Sequence, residues 1–476
     1  MKEFFIDLKQ GIVDMFKGSS NDNLFSLNGR VPLKRSILFG IQHVLAMFVA
    51  NIVPLILVFS AIGVNNTPIA THAMLSALFM AGFGTIVQLL VGARLPIIIG
   101  TSFTFVGLFI TIGLSGSTPE EGYYTIMASI LVGGAITTIA SAFAKYWTRF
   151  IKPIVPAIVV LGIGLSLIQS GANQFIGMND FTPGGVKLYL YIIVAVITFV
   201  VAILWQIFMK GVWKNLNVIV GIVVGYIVAV CIPGMVDFSG LKITSINDVL
   251  SYPSFIDLSK LNFKLVPIIL TTVCFLMALV EAIGDTSALC DAGLGRAPSN
   301  RELTGTLVCD SLNSTLCSLF GCMPLTTFSQ NVGIVSQTKV VNRFTLFVGA
   351  VFLVIASFFK PIANFLYTIP NAVLGGVMVI VFGSISAVGM KMVSENGFTQ
   401  KNILIVSVSV CLGFGLTLCT DFFNYLRSIN LAYLADVLSN NVLNMFVIAI
   451  ILSFILPDNL GEDKPKEVVE EEPKTE

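Results

Sequence analysis

The sequence predicts an all-α polytopic membrane protein, and three observations lead to that fold class. Of the 476 residues, 55% are hydrophobic and only 11% are charged, whereas a soluble domain usually carries about twice that share of charge. Long apolar runs recur at the length that a helix needs to cross a bilayer core. Two further apolar segments are interrupted by Pro, Gly and polar residues in matching ways. Together they predict fourteen transmembrane segments arranged as a 7+7 inverted repeat.

The segments follow one another along two halves of the chain. The predicted spans are 36–62, 74–91, 97–114, 124–144, 154–169, 188–209 and 218–236 in the first half, and 266–290, 303–320, 326–338, 344–359, 373–388, 403–418 and 442–456 in the second. The third and the tenth are the broken segments, for which we expect short extended strands.

The distribution of Lys and Arg supports an even number of crossings. With fourteen crossings, the main basic clusters fall on one side, which the positive-inside rule assigns to the cytoplasm. These clusters are Lys34/Arg35, Arg94, Lys145/Arg149/Lys152, Lys210/Lys214, Arg296/Arg301, Lys339/Arg343 and Lys391/Lys401. The exceptions are Lys187, Lys242, Lys260, Lys264, Lys360 and Arg427. Both termini are therefore expected in the cytoplasm, and the charged tail 458–476 is expected to be disordered.

Composition and motifs also exclude several classes of function. The eight cysteines include no CxxC pair and no His partner at metal-ligand spacing. We therefore expect the cysteines to be small buried hydrophobic residues, and we expect no metal site and no cofactor. The net charge of +1, without a basic patch interleaved with aromatics, gives no reason to expect nucleic acid. The chain has no HExxH, GxSxG or paired catalytic Asp motif, so an enzyme is not predicted.

The two broken segments carry related sequences. Thr101-Ser-Phe-Thr-Phe-Val-Gly107 and Thr326-Thr-Phe-Ser-Gln-Asn-Val-Gly333 align with one inserted residue. They lie seven crossings apart, and an odd number of crossings inverts the second copy relative to the first. Irregular backbone at membrane depth is tolerated only where protein or a cavity covers it. Such paired breaks indicate the binding site of a transporter; chance recurrence in a chain rich in Thr, Phe and Gly is the alternative.

Few ionisable residues lie within the spans, and each is a functional hypothesis by default. Glu281 and Asp285 are four residues apart, so both carboxylates project from one face of the eighth span. The alternative is a buried pair that helix termini or hydroxyls satisfy. Asp310 in the ninth span is expected to hold the broken segment in place.

The second break carries side chains suited to a flat polar ring. The amide of Gln330 both donates and accepts, so it can recognise a ring edge that presents N–H beside C=O. First-turn backbone N–H groups near Phe103 and Ser329 add donors with a partial positive field. The expected flanking rings are Phe103, Phe105 and Phe328. This set fits a polar heterocycle better than a sugar or a simple anion.

Specific motifs resemble those of the nucleobase–ascorbate transporter family, also called nucleobase:cation symporter-2. The resemblance covers nearly the whole chain, from Gln42-His43 in the first span to the twelfth span. It is carried by Gln330-Asn-Val-Gly-Ile-Val-Ser-Gln-Thr-Lys339, Glu281-Ala-Ile-Gly-Asp285 and Gly100-Thr-Ser-Phe103. Uracil permeases resemble this pattern with Glu at the position of Gln330 and His at the position of Asp285. The present pair is similar to the xanthine and uric acid branch, although Val332 and Lys339 depart from it.

The resemblance implies a role for each motif residue. Glu281 and Gln330 would bind a purine through their side chains, and Phe103 and Ser329 through backbone groups, with Ser102 and Phe328 beside them. The supporting or proton-coupling residues would be Asp285, His43, Asn331 and Asp310, and the remaining signature residues are Gly333, Thr338 and Lys339. For His43, the alternative is a histidine satisfied inside the first helix.

The resemblance also implies alternating access by a homodimer in the plasma membrane, with import of xanthine or uric acid driven by protons. The expected domains are a cytoplasmic N-terminus 1–34, core parts 35–145 and 266–368, gate parts 146–237 and 369–457, an extracellular loop 238–265 and the tail 458–476. The alternatives are a uracil, ascorbate or other nucleobase carrier, sodium coupling, and an anion transporter of the related sulfate/bicarbonate fold. Glu281 and Asp285 oppose the last of these.

Overall fold

The computed structural model describes residues 2–65, 67–177, 185–210, 214, 216–238, 249–429, 431–457 and 460. The first half contains α1 Lys2–Phe16, α2 Leu33–Ile62, α3 Pro68–Leu90, β1 Ile99–Thr101, α4 Val106–Leu114, α5 Pro119–Ala142, α6 Ala144–Trp147, α7 Ile154–Ser166, α8 Ile168–Phe175, α9 Leu188–Phe208 and α10 Asn217–Val230. The second half contains α11 Leu265–Leu294, α12 Asn300–Leu319, β2 Leu325–Thr327, α13 Ser329–Thr338, α14 Arg343–Ala356, α15 Lys360–Tyr367, α16 Asn371–Glu395, α17 Gln400–Gly415, α18 Thr420–Ser428, α19 Ala432–Leu438 and α20 Asn441–Ile455.

Within the described ranges, eight helices are long and apolar enough to cross a membrane. Four shorter apolar helices accompany them, namely Phe103–Leu114, Asn217–Val230, Arg343–Ala356 and Asn441–Ile455. Every predicted span coincides with one of these helices, with α12, or with the β2–α13 unit. The chain is a multi-pass membrane protein. The number of crossings and the 7+7 repeat stay predictions, because α12 is too polar and α13 too short to be recognised by length and composition.

Capping residues fix the ends of several spans. The side chain of Thr67 accepts a hydrogen bond from Ala70 N at the start of α3, and Thr118 accepts one from Glu121 N at the start of α5. Ser299 forms a capping box at the start of α12. These side chains satisfy first-turn N–H groups that have no intrahelical partner. Polar residues between the apolar runs thus decide where each helix begins.

The helices around the two breaks pack in a paired pattern. Helices α2 and α3 pack on α14, whereas α11 and α12 pack on α5. In the predicted repeat, α2 corresponds to α11, α3 to α12, and α5 to α14. Each half therefore supplies two helices that pack on one helix of the other half. This exchange is what two related, interlocked halves would produce.

A second group of helices packs beside the first. Helix α16 contacts α7, α8 and α9, and α17 packs on α20. Contacts between the groups run mainly from α11 to α7, from α13 to α16 and from α2 to α10. The predicted core and gate boundaries follow this grouping but stay predictions. The predicted tail, apart from Leu460, and residues 239–248 of the predicted loop lie outside the described residues.

The two strands form an antiparallel ladder inside the protein. The paired residues are Ile99 with Thr327, Gly100 with Thr326, and Thr101 with Leu325, and all six are buried. Two further bonds extend the ladder, from Ser102 N to Pro324 O at 2.9 Å and from Phe328 N to Ile98 O at 3.1 Å. Non-helical backbone thus survives at this depth because each strand supplies the other with partners.

The N-terminal segment is part of this fold. Phe16, at the end of α1, makes edge-on contacts with Phe344 and Phe347 at 5.4 and 5.7 Å between ring centroids. Met15 and Leu24 join Phe344 in a small apolar cluster. The cytoplasmic N-terminus predicted from its polar sequence is therefore an ordered helix and turn that pack beneath α14.

Replacement of Gly40 tests the close approach of α2 and α14. A Cβ at this position would lie 2.5 Å from Thr345 O and 2.9 Å from Gly349 N, both of them backbone atoms that cannot move aside alone. We expect Gly40→Val to destabilise the protein by about 1–3 kcal/mol, as overpacking usually does. The measurement is the thermal unfolding midpoint in detergent. Gly383→Ala is the control, because an added Cβ there has no neighbour within 4 Å; equal midpoints for both variants would refute the packing.

Candidate binding site

Each strand of the ladder is followed directly by the start of a helix. A 3-10 turn, Phe103–Phe105, joins β1 to α4, and Phe328 alone separates β2 from α13. Because the strands are antiparallel, the two helices leave the ladder in opposite directions. First-turn N–H groups of a helix have no partner in the preceding turn; here Thr104 N donates to Ser102 Oγ at 3.3 Å and Asn331 N to Phe328 O at 3.0 Å, while Phe103 and Ser329 begin the two helical segments. The backbone thus supplies donors at both breaks.

One face of α11 carries a carboxylate for each break. Thr104 Oγ1 donates a hydrogen bond to Glu281 Oε2 at 2.9 Å, and Ser329 Oγ donates one to Asp285 Oδ2 at 2.8 Å. Glu281 is 7% exposed and Asp285 is fully buried. One turn of a single helix therefore connects two breaks that lie more than two hundred residues apart in the sequence.

The hydroxyls satisfy only part of these carboxylates. The alternative interpretation, that hydroxyls satisfy the buried Glu281–Asp285 pair, holds for one oxygen of each carboxylate. Asp285 Oδ1, in contrast, is buried with no hydrogen-bond partner among the described residues. A buried acceptor without a partner is costly, so it marks a place where a donor from a ligand or a proton would be stabilised.

Asp310 holds the second strand from the side. Its Oδ2 accepts from Thr327 N at 3.0 Å and from Thr327 Oγ1 at 2.9 Å, while its Oδ1 accepts from Gln88 Nε2 at 3.0 Å. These contacts join α3, α12 and β2. They are the geometry that the predicted supporting role of Asp310 requires.

Hydroxyls on two helices bracket the strands in the same manner. Thr85 Oγ1 accepts from Ile99 N at 3.2 Å and donates to Ile99 O at 3.4 Å. Ser314 Oγ accepts from Leu325 N at 2.9 Å and donates to Leu325 O at 2.7 Å. Thr85 lies on α3 and Ser314 on α12, which are corresponding helices of the predicted repeat. This paired use of one hydroxyl is a second structural similarity between the halves.

A further polar network ties the first helix to the second break. Asn331 Nδ2 donates to Pro96 O at 2.7 Å, and Asn331 Oδ1 lies 3.1 Å from His43 Nδ1. All of these side chains are buried. The partner of His43 is thus on α13, rather than inside its own helix as the alternative proposed.

The three phenylalanines take different positions. Phe103 contacts Phe382 of α16 edge-on at 5.5 Å between ring centroids. The ring of Phe328 covers Gly100, where an added Cβ would lie 2.5 Å from Phe328 Cζ. Phe105 is fully buried against Phe275, with ring centroids 4.7 Å apart, and that it flanks the site stays a prediction. Residues two apart on a 3-10 turn point in different directions, so Phe103 and Phe105 cannot share one face.

Two cavities reach the breaks. One of about 550 Å³ includes Phe103 and Thr104 and extends past α4 towards the junction of α7 and α8 and the start of α20. The other, of about 370 Å³, includes Ser329 and Gln330 and extends between α13 and α16 to Lys391. Gln330 therefore lies on the second cavity. No direct hydrogen bond joins Gln330 to Glu281 in the described part of the chain. Gln330 follows Ser329, which donates to Asp285, one turn of α11 away from Glu281.

The remaining signature residues shape α13. Gly333 lines the second cavity. Thr338 donates to Ile334 O at 2.8 Å, inside the last turn. Lys339 ends the helix with a left-handed φ of 56° and donates to Ala292 O of α11 at 2.7 Å. Lys339 thus closes α13 at the end opposite the break.

Four contact residues were not predicted from the sequence. They are Thr104, Thr85, Ser314 and Asn51, whose Oδ1 accepts from Thr101 N at 2.8 Å and from Thr101 Oγ1 at 3.2 Å. Single hydroxyl and amide side chains are common in membrane helices, and nothing near them in sequence reveals a distant partner. Only for Thr104 was a signal present, because it lies inside the repeated motif.

Comparison with known proteins matches this architecture to a family. A model of the Permease family, which describes the nucleobase–ascorbate transporters, matches residues 34–422. The chain belongs to this family. It is therefore a transporter and not an enzyme.

Two relatives and one solved structure illustrate the similarity. The xanthine permease XanQ of Escherichia coli is 31% identical over 464 residues, covering 94% of this chain and 96% of XanQ. The uric acid permease PucK of Bacillus subtilis is 31% identical over 395 residues, covering 82% and 89%. The transmembrane domain of the cyanobacterial bicarbonate transporter BicA has a TM-score of 0.55 at 16% identity, covering 88% and 97%. This last likeness concerns the fold alone.

A matched pair of threonine substitutions tests the support of β2. Thr327 Oγ1 donates to Asp310, whereas the neighbouring buried Thr326 Oγ1 has no hydrogen-bond partner among the described residues. We expect Thr327→Val to lower the free energy of unfolding by about 1–3 kcal/mol, because it leaves a buried carboxylate with one donor fewer. Thr326→Val should leave it unchanged or raise it. Thermal midpoints of the two variants in detergent provide the test, and the reverse order would contradict the assignment.

Proposed function

We propose that this transporter imports a purine nucleobase, xanthine or uric acid, across the plasma membrane by proton symport. The observation that carries the proposal is the pair of carboxylates on α11, each bonded to the start of one broken helix. Relatives of this chain are named for xanthine and uric acid transport. We propose the same substrates for this chain.

The substrate would lie between the two breaks. A purine with oxo groups presents alternating N–H and C=O groups along its edge. Glu281 and the partnerless Oδ1 of Asp285 are acceptors for N–H groups, and Gln330 both donates and accepts. Backbone N–H groups at Phe103 and Ser329 are donors for C=O groups. Ser102 and Phe328 complete the walls of this region.

Transport would follow from the two cavities. Each reaches one break, so opening one while closing the other would expose the substrate to alternate sides of the membrane. The core parts 35–145 and 266–368 carry both breaks and α11. The gate parts 146–237 and 369–457 carry Phe382, which meets Phe103 edge-on. Motion of the core past the gate would break this ring contact.

The coupled proton would be carried by the α11 carboxylates. Buried carboxylates inside membrane spans are typical of proton relays. Asp285 is linked to Ser329 at the second break, so a change in its protonation would alter the bond that positions α13. Substrate binding and protonation would thereby act on the same helix start. The protein is proposed to function as a homodimer in the lipid bilayer with both termini in the cytoplasm.

The direct test is uptake of radiolabelled xanthine into cells that lack purine transport. We expect accumulation that a protonophore abolishes and that replacement of sodium leaves unchanged. Unlabelled uric acid should compete, whereas uracil, ascorbate, sulfate and bicarbonate should not. Competition by uracil or ascorbate would indicate another substrate within the family, sensitivity to sodium would indicate the other coupling ion, and anion competition would contradict nucleobase transport.

Glu281→Gln tests the acceptor at the first break. Removing the charge weakens hydrogen bonds to the purine N–H, and bonds to charged groups are worth about 1.5–3 kcal/mol. Xanthine accumulation should therefore fall about 10- to 100-fold or more. Glu120→Gln, at an exposed ion pair with Lys260, is the control and should retain uptake. Normal uptake by Glu281→Gln at normal surface expression would remove Glu281 from the mechanism.

Gln330→Glu tests whether the Gln330 amide recognises the edge of the purine ring. The carboxylate loses the amide donor, so purine uptake should fall about tenfold and uracil should become a competitor. Gln337→Glu makes the same change on the same cavity two helical turns away, and should retain the original selectivity. The measurement is inhibition of xanthine uptake by a panel of nucleobases. Identical selectivity in both variants would show that Gln330 does not read the substrate.

A further inference from the structure

A third cavity, of about 320 Å³, lies at the end of α2 that is farthest from the basic cluster Lys34/Arg35. We call it the outer cavity, because this side of the protein is expected to be extracellular. It lies between the end of α2, α4, α8 and the start of α16, so the predicted core and gate both contribute to it. Its lining residues are Ile56, Leu57, Ser60, Ala61, Ile110, Ser170, Asn173, Gln174 and Asn371.

The outer cavity adjoins the cavity at the first break. Ile110 and Ser170 line both of them. Ile110 follows Thr104, whose hydroxyl donates to Glu281, by six residues, and six helical residues rise about 9 Å. The outer cavity is therefore a neighbour of the first break on the side expected to be extracellular.

Gln174 of α8 brings a buried acceptor to the lining of the outer cavity. The residue is 1% exposed, and its Oε1 has no hydrogen-bond partner among the described residues. Its backbone is held against α16, because an added Cβ at Gly375 would lie 2.4 Å from Gln174 C. A buried acceptor without a partner is costly. A ligand N–H that donates to this oxygen would therefore be stabilised.

The remaining lining determines which ligand chemistry fits. None of the described side chains around the outer cavity is ionisable, so neither an anion nor a cation would meet a counter-charge. The carboxamides of Asn173 and Gln174 offer donors as well as acceptors. Ile56 and Ile110 supply apolar walls. Neutral carboxamides between aliphatic walls fit an uncharged flat heterocycle, and the volume is within the range of small-molecule sites.

We propose that the outer cavity is a second binding subsite for the transported oxopurine, which it holds before the substrate reaches the breaks. The inference rests on the proposed function, because it takes the same substrate. A ring N–H donates to Gln174 Oε1, and the ring faces lie against Ile56 and Ile110. Since this subsite captures substrate ahead of the transport step, its loss lowers uptake at low concentration and leaves the maximal rate unchanged.

Initial rates of radiolabelled xanthine uptake test this capture step. Gln174→Leu removes the acceptor and keeps the approximate size of the side chain. We expect KM to rise about fivefold, as for the loss of one hydrogen bond. The maximal rate should not change, nor should the Kd for xanthine at the breaks, measured by calorimetry on the purified protein. An unchanged KM, or a fall in the maximal rate alone, would overturn the proposal.

Asn173→Ala and Asn424→Ala provide a matched pair for the same measurement. Both asparagines are exposed and lie on short helices, α8 and α18, but only Asn173 lines the outer cavity. KM should rise for Asn173→Ala and stay unchanged for Asn424→Ala. Equal KM values for the two variants would contradict the subsite.

Protection of a thiol introduced by Asn173→Cys tests occupancy directly. The substitution is combined with Glu281→Gln, which weakens binding at the first break, and with serine in place of the exposed Cys231, Cys411 and Cys419. Xanthine should slow labelling of the introduced thiol by a membrane-impermeant maleimide, whereas sulfate should not. Xanthine uptake by the unmodified protein without this protection would refute the subsite alone. Absence of xanthine uptake by the unmodified protein would refute the proposed function and the subsite together.

Discussion

The structure depends on satisfying polar backbone where water is absent. Two short stretches of extended chain interrupt the membrane helices, and every unpaired N–H or C=O there would cost several kcal/mol. The ladder between β1 and β2 supplies most of the partners. The rest come from single side chains on surrounding helices, with Thr85, Ser314, Asn51 and Asp310 each contacting one strand residue. The breaks are therefore extensively hydrogen-bonded, although their backbone is irregular.

One helix contacts both breaks. Helix α11 presents Glu281 to Thr104 and, one turn later, Asp285 to Ser329. The two carboxylates therefore link α11 to the start of each broken helix, one carboxylate to each. Gln330 stands on the cavity beyond the second break. The first break and the second break thus border different cavities, with the two carboxylates of α11 bonded between them.

Some of this could be predicted from the sequence. Apolar length located the spans, because the bilayer fixes how long a helix must be. The spacing of Glu281 and Asp285 placed them on one helical face, and Pro and Gly between polar residues located the two breaks. The direction of Phe105 was not predictable, since it depends on the break forming a 3-10 turn. Nor were the roles of Thr85 and Ser314, because their partners follow from the docking of helices and leave no local signal.

We propose that the substrate lies between the two helix starts and contacts the acidic face of α11. The most direct measurement is an experimental structure of the protein with xanthine bound. We expect ligand density between Phe103 and Ser329, with a ring N–H within hydrogen-bond distance of a Glu281 oxygen. Density for xanthine elsewhere, with no contact to α11, would contradict it.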